Sequence, residues 1–189
     1  MERFFVGVVG FTTIELMVTL TILVVLIGIA VPSFSAMTAQ NRLATAANDL
    51  NAAFSLARQT AIVRNAPVAL CAGDATAGCH APAAWSWSRG WLVFIDRDRD
   101  GTRDAGEPVV QIGSSSPVGL VIQGNAPMRK PVIFSPMGFA TQPGGAFSAG
   151  TVRVCTPTRI EHNARDLILS KSGRVRVEPV DLAGACSPP

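Results

Sequence analysis

The sequence predicts an α+β protein: one long N-terminal helix, its first half suited to a membrane and its second half amphipathic, packed on an antiparallel β-sheet domain. Three observations carry this. An apolar run from Phe11 to Phe34 holds a single charge, Glu15. A stripe of apolar residues at steps of three and four carries the helical pattern on to Ala61. Beyond Pro67 the pattern changes to short β-branched and aromatic runs bounded by Gly, Pro, Ser, Asn or Asp, the composition of strands and turns.

Taken in order, residues 11–34 are expected to span a bilayer, since roughly twenty apolar residues at about 1.5 Å each cross the hydrocarbon core. The run exceeds the roughly 7–15 residues of a secretory h-region and no small-x-small cleavage site follows it, so it is expected to stay in the mature protein. Thr12, Thr13, Thr19 and Thr21 can return their hydroxyls to the helix backbone and are tolerable in lipid. Glu15 is not tolerable without a partner: an ionisable group in such a segment reads as functional, and something must neutralise it.

Residues 35–66 form the amphipathic half. Leu43, Ala47, Leu50, Phe54, Ala57 and Ala61 make the stripe, and Gln40, Arg42, Asn48, Asn51, Arg58 and Gln59 fall largely off it. Pro32 is expected to kink the helix without ending it, because the pattern resumes beyond it. Arg64-Asn65-Ala66-Pro67 closes the helix, since a residue before proline avoids the helical region.

Residues 67–189 are expected to fold as one β-rich domain, long enough to bury its own core. Its predicted strands are Val68–Cys71, Trp91–Ile95, Val109–Ile112, Val118–Ile122, Val132–Phe134, Thr151–Cys155, Asp166–Leu169 and Arg174–Val177. The only histidines, His80 and His162, have no Ser, Cys or Asp at motif spacing, so no catalytic constellation is expected. Four cysteines in an exported domain suggest two disulfides. Of the three pairings, Cys71–Cys79, closing a small Gly-rich loop, and Cys155–Cys186, pinning the C-terminal tail to a strand, are favoured. A metal site on Cys71, Cys79 and His80 is the alternative.

The segment Gly10-Phe11-Thr12-Thr13-Ile14-Glu15-Leu16, followed by its apolar run, resembles the signal of type IV pilins and pseudopilins. The resemblance implies cleavage by a prepilin peptidase between Gly10 and Phe11, N-methylation of Phe11, and pairing of Glu15 with an N-terminal amine, its own or a neighbour's, during filament assembly. Residues 1–10 would be the leader. It departs from the usual short basic pattern in carrying Phe4, Phe5, Val6, Val8 and Val9, with Arg3 offset by Glu2. Further on, Cys71 and Cys79 followed by Gly90-Trp91 and Phe94-Ile95-Asp96 resemble the GspH/FimT branch. The fold implied is the pilin lollipop. The function implied is that of a minor pilin or pseudopilin in a type II secretion pseudopilus or type IV pilus. Its partners would be other pilins, the peptidase and the bacterial inner membrane, with the β domain in the periplasm.

Two charged features add further expectations. Asp96-x-Asp98-x-Asp100-Gly101, with Asp104 at the ninth position and Glu107 at the twelfth, matches the calcium-loop pattern D-x-D-x-D-G-x5-E, although strands and not helices flank it. Calcium is thus the one cofactor the sequence suggests, and an anchored calcium-binding periplasmic domain is a competing reading. From Arg129 to Arg176, eight basic residues face two acidic ones in a chain of net charge +3. Arg174 and Arg176, two apart on a strand, would share a face, with Arg165 and Lys171 flanking them. Such a row suits the phosphates of double-stranded DNA, and the Gly-Arg-x-Arg element resembles the DNA-binding FimT-type minor pilins.

Overall fold

The computed structural model describes residues 10–74, 76, 78–79 and 86–189. Residues 1–9, His80 and Trp85 lie outside the described residues. The chain forms two units, one ending at Thr38 and one running from Ala39 to Pro189.

A single helix, α1, runs from Thr13 to Arg64 and passes position 32 without interruption. Its start is set by Thr12, whose Oγ1 accepts the Glu15 N–H at 3.2 Å while its carbonyl accepts the Leu16 N–H at 3.1 Å. Threonine three residues before glutamate is the spacing of a capping box. Thr19 and Thr21 donate their hydroxyls to the carbonyls of Leu16 and Met17 at 2.9 and 2.8 Å, the local satisfaction expected of hydroxyls in an apolar helix. The end is a Schellman motif: Asn65 takes the left-handed conformation (φ 46°), Ala66 donates to the Ala61 carbonyl at 3.2 Å, and Asn65 donates to Ile62 at 3.4 Å.

Among the described residues of the first unit none is buried: Leu20, Val24, Leu26, Val31 and Phe34 are all exposed. In the second unit the predicted stripe is buried. Leu43, Ala47, Leu50, Phe54, Ala57 and Ala61 sit in one core with both sheets of the β domain.

The β domain has two antiparallel sheets. The first is ordered β4 (Val109–Gly113), β3 (Trp91–Ile95), β1 (Val68–Asp74), β6 (Val132–Phe134), β7 (Ala140–Thr141), with β2 (Gly78–Cys79) pairing to β1. The second is ordered β10 (Val175–Val180), β9 (Ala164–Leu169), β8 (Gly150–Cys155), β5 (Val121–Gly124). β1 and β3 are buried on both faces. Val68, Leu70, Val93 and Ile95 face the helix, and Ala69, Cys71, Leu92, Phe94 and Ile133 form a second cluster. This explains why these strands read as continuous apolar runs without alternation.

A 3-10 turn at Trp87–Arg89 ties the sheets together. Trp87 is buried beside Phe54, ring centroids 6.0 Å apart, and donates its indole N–H to the Met128 carbonyl at 3.2 Å. Ser88 accepts the Ile122 N–H of β5 at 2.7 Å.

The eight predicted strands all occur, with two additions and one shift. β2 and β7 are two residues each, too short to show a period. Val118 falls outside β5, because Gly119 (φ 90°) and the Leu120-to-Pro117 hydrogen bond make a turn there.

Candidate functional site

Glu15, the one charge of the apolar run, lies in the first turn of α1 and is exposed. Gly10 and Phe11 precede the helix in exposed, non-helical backbone. Phe11 is 81% exposed, and a side-chain carbon added at Gly10 would meet nothing within 4 Å. The Thr12 cap therefore separates an accessible Gly10–Phe11 peptide from a helix whose first turn carries the carboxylate. A carboxylate in the first turn also suits the partial positive charge of the helix N-terminus. The local capping role of Thr12 and Glu15 was not drawn from the sequence, although the Thr-x-x-Glu spacing signals it.

The cysteines form Cys71–Cys79 and Cys155–Cys186 disulfides. Both sulfurs of the alternative metal site are thereby consumed, which removes Cys71 and Cys79 as thiolate ligands. The second disulfide fixes the tail against the outer face of the second sheet. Buried Asn163 clamps the same tail: its amide nitrogen donates to the carbonyls of Thr156 (2.9 Å) and Ala185 (3.2 Å), and its Oδ1 accepts the Leu182 N–H at 2.7 Å.

The basic strip is rearranged by strand parity. Leu167 and Leu169 on β9 pair with Val177 and Val175 on β10, and all four belong to or pack on the core. Arg165, on the same parity as Leu167, therefore lies on the core side, and its Nε is buried without a hydrogen-bond partner. Arg174 and Arg176 lie on the opposite, outward side, so Arg165 does not flank them. Lys171 is exposed in the turn before β10. Arg176 contacts Glu178 at 3.1 Å. Glu178 lies two residues on along β10 and shares the outward face of Arg176. Across the sheet, Arg153 grips Asp166 with two hydrogen bonds of 2.7 and 2.8 Å, and Asp166 raises the Arg153 pKa above its usual value chiefly through those bonds.

The acidic segment is the loop of the β3–β4 hairpin. Asp96 is fully buried, directly after β3. Its Oδ2 accepts the Gly101 N–H at 3.1 Å, and its Oδ1 has no partner. Glu107 is buried, with Oε1 accepting the Arg97 N–H at 2.7 Å and Oε2 the Asp104 N–H at 3.1 Å. Ligand oxygens of Asp96, Asp98 and Glu107 all lie within 4.8 Å of one another. Burial, then the Asp98 and Glu107 carboxylates, push the Asp96 pKa up to about 6 against the lowering effect of backbone N–H donors. Asp100 and Asp104 are not part of this convergence. Both are exposed, and Asp100 Oδ1 accepts the Thr102 N–H at 2.6 Å.

The family model described as type II transport protein GspH matches residues 46–173. That range takes in α1 from Ala46 onward, the acidic hairpin and both sheets up to the turn before β10, and it ends before Arg174. The pilin-like protein PilA1 of Thermus thermophilus is 32% identical over 175 residues, 89% of this chain and 97% of that protein. Among solved structures, the type IV minor pilin FimU of Pseudomonas aeruginosa matches with a TM-score of 0.57 at 19% identity, covering 76% of this chain and 92% of FimU. A second crystal form of FimU gives 0.53, also at 19% identity, covering 72% and 93%. At that identity the likeness to FimU is one of fold.

Proposed function

We propose, from the premise that this chain belongs to the GspH family of pilin-like proteins, that it is a minor pilin or pseudopilin, a structural subunit of a type II secretion pseudopilus or a type IV pilus. It is held in the bacterial inner membrane by residues 11–34, with residues 67–189 in the periplasm. It enters the filament with other pilins after a prepilin peptidase removes residues 1–10 and Phe11 is N-methylated.

The observation that carries this reading is the first unit of α1. It is a helix long and apolar enough to cross a membrane, exposed on every side, with Glu15 as its one charge beside an accessible Gly10–Phe11 bond. Such a surface is stable only in lipid or against other apolar helices. The carboxylate is tolerable there only when paired, and cleavage creates a suitable amine four residues away, at Phe11.

Glu15→Ala is expected to leave membrane insertion and leader removal intact while reducing incorporation into filaments by tenfold or more, a rough estimate for loss of one partner of a desolvated ion pair. Immunoblots of membrane and sheared-filament fractions read both steps. Normal incorporation of the variant would overturn the assembly role.

The reading in which the domain draws in double-stranded DNA is weaker. With Arg165 on the core side, Lys171, Arg174 and Arg176 are the exposed cations of the row, and Glu178 stands beside Arg176 at 3.1 Å. Three cations with an acid among them make a short phosphate track.

A further inference from the structure

The geometry points to a calcium site in the β3–β4 hairpin loop, with Asp96, Asp98 and Glu107 as its carboxylate ligands, that locks the loop onto the β domain. The site goes beyond filament assembly and stands on its own geometry.

Two independent observations meet there. The first is the convergence of three carboxylates within 4.8 Å. Calcium binds oxygens at about 2.3–2.6 Å, so oxygens on opposite sides of one ion stand about 4.6–5.2 Å apart, and the cluster fits inside a single calcium shell. The second is the Oδ1 of Asp96, an acceptor in a fully buried side chain that has no hydrogen-bond partner among the described residues. A buried carboxylate oxygen without a partner carries a desolvation cost that native structures rarely leave standing. No Arg or Lys forms an ion pair with Asp96, Asp98 or Glu107 among the described residues. Arg97 and Arg99 alternate with the acids and are exposed. A compact cation coordinated by several oxygens at once would satisfy this cluster.

The surrounding chain is built to hold such a cluster. Asp96 is anchored at the end of β3, its N–H donating to the Pro67 carbonyl at 3.0 Å. Glu107 stands just before β4 and closes the loop through the N–H groups of Arg97 and Asp104. Gly101 (φ 78°) is buried, and a side-chain carbon there would collide with Pro143 at 2.8 Å, so the loop is seated against the domain. Calcium fits better than magnesium because magnesium demands near-octahedral geometry and keeps its waters, whereas carboxylates on an irregular loop suit the flexible calcium shell. Only the supply of calcium depends on the assembly reading: a periplasmic domain meets concentrations at which weak extracellular sites fill.

The test uses the full chain in detergent, stripped with EDTA and then given calcium chloride at about 5 mM, a concentration above the dissociation constants of extracellular modules. The melting temperature of the β domain is expected to rise by about 3–5 °C, and titration calorimetry to show one calcium per chain. Asp98→Asn keeps the shape of an exposed residue and should fold; the rise is expected to shrink to under about 1 °C. Asp181→Asn, on the distant tail, should keep the full rise. No rise and no heat with the native chain would overturn the site. So would a full rise in Asp98→Asn, or an equal rise with magnesium chloride. These outcomes do not touch the Glu15 experiment, so the two readings fail separately.

Discussion

Within one continuous helix, residues 13–38 and residues 39–64 solve opposite problems. In the first stretch the large apolar side chains point all round and every one is more than half exposed, from Leu20 at 51% to Phe34 at 72%. In the second, Leu43, Leu50 and Phe54 are at most 1% exposed, and the opposite face carries Asp49, Ser55 and Gln59. Backbone geometry is the same in both. What differs is which solvent each expects. An apolar stripe about a third of the circumference wide is enough to dock on a sheet, whereas the apolar surface of the first stretch is covered by none of the described residues. One end of the helix is therefore part of the core and the other is exposed all round.

Substitutions that remove the same kind of atom from each half sharpen this contrast. The largest effect is expected from Phe54→Ala, which empties a site beside Trp87 and should lower the stability of the β domain by about 3–5 kcal/mol, measured by urea unfolding in detergent. Leu23→Ala removes a comparable side chain from the exposed half and should leave that unfolding curve within about 0.5 kcal/mol of the native one. A loss of several kcal/mol there would break the distinction between the two halves.

The next largest effect concerns the clamp on the tail. Replacing Cys155 and Cys186 by serine opens a 31-residue separation and should cost about 3–4 kcal/mol. The 8-residue Cys71–Cys79 link should cost closer to about 2–3 kcal/mol, by the dependence of loop-closure entropy on length. Both are read from urea unfolding of the two double variants; equal costs would show that loop closure is not what these bonds contribute. The smallest effect belongs to Thr12→Ala. It should weaken the start of α1 by about 0.5–2 kcal/mol, seen as faster amide exchange at Glu15, with no change in the melting of the β domain.

Much of the architecture was legible. The helix was readable because its two halves carry two distinct apolar patterns and because Asn65-Ala66-Pro67 ends it. Eight strands were readable because each is an apolar run bounded by turn residues. β2 and β7 were not, since two residues carry no period. The division of the strands into two sheets also left no local mark: β5 and β6 are neighbours in sequence yet join different sheets, and the turn at Trp87 that bridges them depends on contacts with Met128 and Ile122. In the charged features, spacing gave a correct list of acids and bases but not their company. Asp96, Asp98 and Glu107 converge while Asp100, whose Oδ1 accepts the Thr102 N–H, and Asp104 do not.

By itself, the sequence determined whatever is periodic or local: the apolar run, the Glu15 charge inside it, the buried stripe, eight of the strands and the helix ends. Each follows from repeats of 3.6 or 2 residues, or from the backbone limits of Pro, Asn and Gly. Only the tertiary structure decided what depends on partners far along the chain. Strand parity turned Arg165 to the core side and Arg176 outward beside Glu178. Burial at the end of β3 left Asp96 with an oxygen that has no hydrogen-bond partner among the described residues. These outcomes are set by register and packing, which bring together residues that no local pattern links.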